Sequence, residues 1–205
     1  MKTAKTFTIA AVAFLFTLFS QDVFAQRLIP GQMTVYAEGS AWMAPGGGIG
    51  TSFVKRNFKW DFSAQYRTLN HHVSLPDTKE YAAGEFDLKA QDIYARMMYK
   101  RLLAHDRSYS WNFWLGVSFD AGARLRKPAA EYVPDDVERI SKTHFIYGFT
   151  PELSVEFFPA NIFSMSVFAR PRMMFVGAKK EAKFGERWFY PEFGMQFNFC
   201  FFTKR

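Results

Sequence analysis

Cysteine is nearly absent from this chain of 205 residues, in which Cys200 is the only one. A single cysteine excludes the internal disulfide framework that stabilises many small exported domains. It also excludes attachment of lipid to a cysteine at a new N-terminus, because no cysteine follows the predicted cleavage site described below. The sequence therefore gives no indication of a covalent cross-link or of a lipid anchor.

Long apolar runs are scarce as well. The stretch from Phe7 to Phe19 is shorter than the roughly 20 residues that a membrane-spanning helix needs, and no other segment could cross a bilayer as a helix. Yet the chain contains 25 Phe, and aromatic residues make up 19% of it. Aromatic residues that are abundant but dispersed favour strands with apolar side chains at alternate positions.

The N-terminus has the features of a signal peptide. Lys2 and Lys5 precede the apolar stretch, and Val23-Phe24-Ala25 places small residues at the first and third positions before a cut. We therefore predict a signal peptide over residues 1–25 and a single β-barrel domain over residues 26–205. Such a chain would be exported in a Gram-negative bacterium.

Period-two alternation dominates the rest of the chain. From Phe58 to Arg67 the even positions are apolar or aromatic, whereas the odd positions are polar. The same pattern predicts four more long strands, Tyr109–Leu125, Phe145–Phe157, Phe163–Phe175 and Phe189–Phe201, and three weaker ones, Met33–Met43, Gly47–Val54 and Gly84–Arg101. The sequence thus predicts eight strands, an even number.

The segment Gly84–Arg101 changes parity in its middle. Phe86, Leu88 and Ala90 share one face, but from Ile93 onwards the apolar residues occupy the other parity. One extra residue in the strand would restore the facing, so we predict a β-bulge near Gln91 and Asp92.

The predicted connections alternate in length. Three are short: Lys55-Arg56-Asn57, Leu102 to Ser108, and Phe158 to Asn161. Three are long, namely Thr68 to Ala83, Arg126 to Thr143 and Val176 to Trp188, and the remaining one, Ala44-Pro45-Gly46, is short. Short turns at one end and long loops at the other are typical of outer-membrane barrels, in which the long loops face outwards.

We therefore predict an all-β fold, an eight-stranded antiparallel up-and-down transmembrane β-barrel with the OmpA/OmpX-like architecture. The alternative is a soluble periplasmic sandwich or lipocalin-like barrel, in which the apolar face would point inwards. Strands of thirteen residues and more, with rings recurring on the apolar face near their ends, favour the membrane.

A barrel of eight strands is filled by its own side chains. In the transmembrane orientation its interior would hold five carboxylates and five cations: Asp61, Asp120, Glu152, Glu156 and Glu192, with Lys59, Arg67, Arg124, Arg170 and Arg172. These charges could form an ion path or a binding site. We favour a compensated cluster, because buried charges must be paired.

Residues with catalytic potential are few. His72 and Ser74, beside His71 and near Asp77, have the His-x-Ser spacing of outer-membrane lipid A deacylases, which are also eight-stranded barrels. Three residues are weak evidence, and adjacent histidines on a strand point to opposite faces and cannot share a metal ion. We read Cys200 as an inert small residue, Gly46-Gly47-Gly48 as the start of a strand, and Lys179, Lys180 and Lys183 as a solvated surface. We therefore expect neither catalytic, metal nor cofactor-binding residues.

Three segments resemble one family. Residues Ala25 to Gln32 are similar to the "AQR-(L/M)-(I/L)-P-x-Q" opening of the TraO family of conjugative-transposon transfer proteins from Bacteroides-type bacteria. Phe145-Ile146-Tyr147-Gly148 resembles that family's "FIYG" strand, and Phe193 to Phe199 resembles its "GVGLRFNF" ending. The three occur in the same order and at similar spacing across nearly the whole mature chain.

The resemblance implies a non-enzymatic outer-membrane component of a conjugative transfer apparatus, related to type IV secretion. Its partners would be outer-membrane lipid and other transfer proteins, without direct contact to nucleic acid. Two alternatives remain: a generic small outer-membrane barrel with adhesive or envelope-stabilising loops, and a barrel enzyme that modifies lipid A. The oligomeric state does not follow from the sequence.

Overall fold

The computed structural model describes residues 31–75, 84–106, 110–128, 143–160, 162–177 and 188–202. These residues form eight strands: β1 Gln32–Trp42, β2 Gly46–Lys55, β3 Phe58–Leu75, β4 Gly84–His105, β5 Trp111–Pro128, β6 His144–Ala160, β7 Phe163–Val176 and β8 Phe189–Phe202. All eight predicted strands are therefore confirmed.

The strands form one closed barrel in which each strand pairs with its neighbours in the sequence. Closure is made by β1 and β8, which pair antiparallel from Gln32 opposite Phe202 to Trp42 opposite Glu192. A closed barrel has no free sheet edge, so the backbone groups of its spanning part can be satisfied inside the wall.

The connections define two ends. At the turn end, where Arg56-Asn57 joins β2 to β3, Arg56 has a positive φ of 56°, as tight hairpins require. The β4–β5 and β6–β7 connections lie at the same end. The loop end carries the connections after β1, β3, β5 and β7, of which only the first, residues 43–45, is as short as a hairpin turn.

The orientation of the side chains is that of a transmembrane barrel. On β3 the odd-numbered residues Lys59 to Arg67 are buried, whereas Phe58, Trp60, Phe62 and Tyr66 are exposed on the outside. The other strands alternate in the same way, and exposed apolar side chains cover the outer wall. A soluble barrel would have the opposite arrangement, so the prediction of an apolar exterior and a polar interior is confirmed.

The predicted bulge near Gln91 and Asp92 is wrong. Pairing is continuous through both residues on both sides of β4, and the even residues from Ala90 to Lys100 all point inwards. The change of parity has another cause: near the loop end the interior itself becomes apolar, so Ala90 is an inward-facing residue. The register shift on β4 lies instead between Leu102 and Ala104, near the turn end.

Several predicted connections are too long. β3 continues through residues 68–75, β4 continues to His105, β5 to Pro128 and β6 to Ala160, so parts of the predicted loops and turns belong to strands. On β3 and β4 the outward residues become polar at this level, as at Asn70 and Lys89, which hid the continuation from a pattern that depends on apolar alternation. The predicted signal peptide and the first mature residues lie outside the described residues.

The described part of the chain contains no helix that could cross a membrane.

The orientation of β3 can be tested by introducing an arginine on its outer face at two different depths in the membrane. Phe62 lies in the middle of the apolar exterior of β3 and is 47% exposed, so Phe62→Arg should lower the free energy of unfolding by about 2–4 kcal/mol in lipid vesicles. The control Asn70→Arg, on the same face but at the polar level, should cost no more than about 1 kcal/mol. Urea titration of both variants measures the difference; equal effects would contradict the assigned depth.

Candidate functional site: the charged interior of the barrel

The interior of the barrel is crowded with charge. Among the described residues, the buried carboxylates are Glu38, Asp61, Asp92, Asp120, Glu152, Glu156 and Glu192, and the buried cations are Lys59, Arg67, Arg96, Lys100, Arg124, Arg126, Arg170 and Arg172. They come from every strand except β2, whose inward positions are Val54, Ser52 and glycines. Charges withdrawn from water in this way must compensate one another.

Glu38 on β1 links the two sides of the barrel. It accepts two hydrogen bonds from the guanidinium of Arg170 on β7, at 2.7 and 2.9 Å, and one from Arg67 on β3, at 3.0 Å. A third guanidinium, that of Arg96 on β4, lies 3.8 Å from the same carboxylate. One carboxylate thus connects strands that are not neighbours in the sheet.

A second group of ion pairs lies beside Glu38. Arg170 also donates through Nε to Glu152 on β6, at 2.5 Å. Glu152 in turn lies 2.6 Å from Nζ of Lys100, which is 2.8 Å from Asp61. Because Arg170, Glu152 and Lys100 each contact two oppositely charged partners, these pairs form a continuous network rather than separate bridges.

Towards the loop end the network continues through Arg172. Its guanidinium donates to Asp92 at 2.6 Å and to Glu192 at 3.1 Å. Asp92 also accepts a bidentate pair from Arg124, at 2.7 and 2.9 Å, and Glu192 accepts from Nε of Arg67, at 3.1 Å. Bidentate arginine–carboxylate pairs combine charge with a fixed geometry and are among the strong hydrogen bonds of proteins.

Asp120 on β5 is satisfied from three sides. Arg96 donates to both of its oxygens, at 2.9 and 3.0 Å. The hydroxyls of Thr150 and Ser118 donate to it at 2.8 and 2.9 Å. The hydroxyl groups of the interior therefore fill acceptor positions that the cations leave open.

A separate polar cluster occupies the turn end. Glu156 accepts from Lys59 at 3.1 Å, from the indole of Trp114 at 2.9 Å and from the hydroxyl of Ser164 at 2.8 Å. Nearby, the hydroxyls of Thr34 and Ser52 form a hydrogen bond with each other. The buried indole of Trp114 thus has its N–H satisfied, as a buried tryptophan requires.

The interior becomes apolar at the loop end. Seven buried residues pack together there: Ala44, Leu69, Ala90, Tyr94, Ile146, Met174 and Tyr190. The guanidinium of Arg172 lies 4.7 Å from the ring centroid of Tyr94 and 5.7 Å from that of Tyr190, which joins this apolar cluster to the charges below. At the turn end Val54 and Phe158 are buried as well. Both ends of the charged interior are therefore lined by buried apolar side chains.

Inward-facing glycines make room for the larger interior side chains. A Cβ atom at Gly50 would lie 2.7 Å from the ring of Tyr36, and one at Gly194 would lie 2.3 Å from the ring of Phe168. Real Cβ atoms do not approach other atoms so closely. The glycines of β2 and β8 therefore serve packing. Gly46-Gly47-Gly48 is the start of β2, as the sequence predicts.

The exterior near the loop end is aromatic. Trp42 stacks on Phe193 with their ring centroids 5.1 Å apart, and the rings of Trp188 and Phe189 meet edge to face. Trp42 holds a positive φ of 90°, a backbone conformation that is costly for a residue with a bulky side chain. Aromatic side chains at this level are typical of the interface between lipid and water.

All ten charged residues predicted for the interior are buried there. The prediction missed five more: Glu38, Asp92, Arg96, Lys100 and Arg126. The signal was available, because each of them shares the parity of the polar face of its strand. On β4 the change of parity obscured this signal, and on β1 the loose alternation did. Arg126 was missed because the predicted strand ended at Leu125, whereas β5 continues to Pro128.

The residues considered for catalysis are not brought into a described site. The backbone of His71, His72 and Ser74 forms the last part of β3, opposite Leu88, Asp87 and Glu85, but their side chains lie outside the described residues, as do Asp77 and Lys179, Lys180 and Lys183. Cys200 points inwards and is buried. Among the described residues no group of three His, Cys, Asp or Glu side chains could hold a metal ion.

Comparison with known proteins finds similarity of structure alone. No family model matches the chain, and no curated protein matches its sequence. Similar solved structures include the N-terminal β-barrel domain of OprF from Pseudomonas aeruginosa, with 9% identity and a TM-score of 0.44 over 84% of this chain and 98% of that one. A major outer membrane protein from Thermus thermophilus has 10% identity and a TM-score of 0.46 over 82% and 99%. Ail of Yersinia pestis, crystallised with the heparin analogue sucrose octasulfate, has 8% identity and a TM-score of 0.38 over 84% and 97%.

The network predicts a large cost for removing one of its charges. Glu38→Gln leaves the guanidiniums of Arg170 and Arg67 without their shared anion, and should lower the free energy of unfolding by about 3–5 kcal/mol. The control is the same chemical change at the turn end, Asp106→Asn, which keeps the side-chain oxygen that accepts from the N–H of Trp111. This variant should change the free energy of unfolding by less than about 0.5 kcal/mol. Equilibrium unfolding of both variants in detergent micelles would measure this, and similar values would show that the network does not stabilise the barrel.

Proposed function

We propose that this chain is a non-enzymatic barrel of the Gram-negative outer membrane that acts as a packed anchor for its loop end, and that it is not a pore. The single observation that carries the proposal is the continuous network of buried ion pairs, bounded by buried apolar residues at both ends. A channel needs a hydrated path along its axis, whereas here Arg170 on β7 reaches across the interior to Glu38 on β1, and Arg172 on β7 reaches to Asp92 on β4.

The exterior supports the same proposal. Exposed Phe, Trp, Leu, Val and Met side chains cover the wall of the barrel, which leaves lipid as the partner that this surface fits. The loops are then the parts through which such a protein would contact other molecules, as in an adhesive or envelope-stabilising barrel.

The anchor proposal is tested by localisation and conductance measured together. Full-length protein should be recovered in outer membranes and should migrate faster on a gel before boiling than after it. The folded protein should then give no large open channels in planar bilayers, with boiled protein as the control for non-specific leakage. Recovery from the soluble periplasmic fraction would overturn the membrane assignment, and large open channels would overturn the packed interior.

A narrower function, a part in conjugative transfer, is supported by the resemblance of three sequence segments to the TraO family. Two of these segments lie in strands that build the interior: Gly148 belongs to β6, and Gln196 and Asn198 belong to β8. No feature of the described strands is specific to transfer. This function is therefore the second candidate, and the general outer-membrane anchor is the first.

A mating assay separates the two candidates. If the chain is a transfer component, deletion of its gene from the donor should abolish transfer of the mobile element, and the wild-type gene supplied in trans should restore it. A donor carrying Asp106→Asn serves as a matched control for expression from the same plasmid. Unchanged transfer, together with altered adhesion or sensitivity to detergents, would support the general anchor instead.

A further inference from the structure

Three prolines lie side by side on the outer wall. Pro171 on β7 is directly opposite Pro191 on β8. On its other side, the register that pairs Phe149 with Met173 and Leu153 with Ala169 places Pro171 opposite Pro151 on β6. Proline has no N–H to donate, and in sheets it is normally confined to edges and bulges. A closed barrel has no edge, so a row of three in its wall calls for an explanation.

The pairing of β6 with β7 is interrupted at this row. Residues 150–152 have no paired partners among residues 170–172, although both strands are described throughout, and the pairing resumes beyond them without a shift of register. The neighbouring pairs are intact, since β5 pairs with β6 through Val117 and Pro151, and β7 pairs with β8 through Pro171 and Pro191. The interruption is therefore confined to one seam.

The geometry of an antiparallel sheet explains why this seam alone is broken. The N–H and C=O of one residue point towards the same neighbouring strand, and the direction alternates along the chain. Intact pairing on the outer sides means that Pro151 and Pro171 point towards each other. Residues that face each other in this way normally exchange two hydrogen bonds, one from the N–H of each residue. Neither Pro151 nor Pro171 has an N–H, so both hydrogen bonds of this rung of the ladder are missing. The carbonyls of Pro151 and Pro171 therefore lack the N–H donors that a neighbouring strand normally provides. An unsatisfied carbonyl costs free energy in the lipid-facing wall, where water is scarce.

An ion pair bridges the same seam from inside. Glu152 and Arg170 occupy the next positions after Pro151 and before Pro171, and the same register sets them directly opposite each other. Nε of Arg170 donates to Glu152 at 2.5 Å. Lys100 from β4 and Glu38 from β1 hold the two partners from further round the barrel. The inner face therefore links β6 to β7 where the backbone ladder does not.

We propose that the barrel wall opens locally between β6 and β7 at the Pro151–Pro171 rung, and that the Glu152–Arg170 ion pair holds this seam closed. The inference does not depend on the role of the loops.

Amide hydrogen exchange, followed by NMR on the full mature chain in micelles, tests the proposal. Phe149, Leu153, Ala169 and Met173 carry the N–H groups that cross the seam on either side of the proline rung. They should exchange faster than the amides of Gly116 and Ser118, which by the same alternation cross the intact β5–β6 seam at a similar level. Equal protection of the two sets would overturn the proposal.

The variants isolate the missing N–H groups. Pro151→Ala combined with Pro171→Ala supplies both donors without touching the interior, and should slow exchange of the four seam amides by roughly fivefold, as expected for hydrogen bonds regained. Pro191→Ala is the matched control: it lies on the same face, but its N–H would point away from β7 and should leave the seam unchanged. A double variant with unchanged exchange would contradict the proposal.

The ion pair is tested separately. Glu152→Gln should accelerate exchange of the seam amides more than that of Gly116 and Ser118, because it weakens the link between β6 and β7 selectively. If this variant does not fold, the proline variants still decide the outcome. Acceleration that is uniform around the barrel would show that Glu152 stabilises the whole structure and does not hold the seam.

Discussion

The need to pair every buried charge is the constraint on which the rest of this structure depends. An eight-stranded barrel in lipid turns its polar side chains inwards, where there is room for side chains but not for bulk water. Here that interior receives carboxylates and cations from seven strands. Most of the described charges meet in a network that includes Glu38, Glu152, Arg170 and Arg172, and Lys59 pairs with Glu156 in a separate cluster. Removing any member leaves its partners buried without an opposite charge, which costs free energy. The ion pairs therefore favour the one arrangement of the strands in which every partner is in place.

The wall and the interior compensate for each other. The glycines of β2 contribute no charge and no bulk, which leaves the space that Tyr36 and Gln65 fill from β1 and β3. Between β6 and β7 the interior compensates for the wall. The backbone hydrogen bonds missing at Pro151 and Pro171 lie beside the ion pair of Glu152 and Arg170, which joins the same two strands. Backbone hydrogen bonds and buried ion pairs thus act as alternative means of joining neighbouring strands.

Period-two alternation predicted the eight strands and which side faces lipid, because each strand has a lipid face that must be apolar at alternate positions. It also placed Asp61, Arg67 and Glu192 in the interior correctly. It failed where the interior is not polar: Ala90 and Leu69 point inwards into the apolar cluster, and alternation cannot distinguish an inward apolar residue from a bulge. It failed again above the lipid, where residues such as Asn70 are polar on the outside and the strand continues unseen.

The partners within the network could not be predicted from the sequence. Glu38 on β1 and Arg170 on β7 are separated by most of the chain. They come together only because β1 closes on β8, the neighbour of β7, and the two side chains project into the interior at the same level. The effect of the prolines also depended on register, since nothing in the sequence pairs Pro151 with Pro171. Sequence patterns specify faces and lengths, whereas contacts across a closed barrel depend on the stagger of its strands.

The central claim, an apolar wall in lipid around a packed charged interior, is tested most directly by fluorescence quenching with brominated lipids. Two single-tryptophan variants suffice, one retaining Trp60 on the outer face of β3 and one retaining Trp114 inside, with the remaining tryptophans of each replaced by Phe. The account predicts strong quenching of Trp60 and weak quenching of Trp114, whose indole donates to Glu156. Quenching of Trp114 that equals or exceeds that of Trp60 would contradict it.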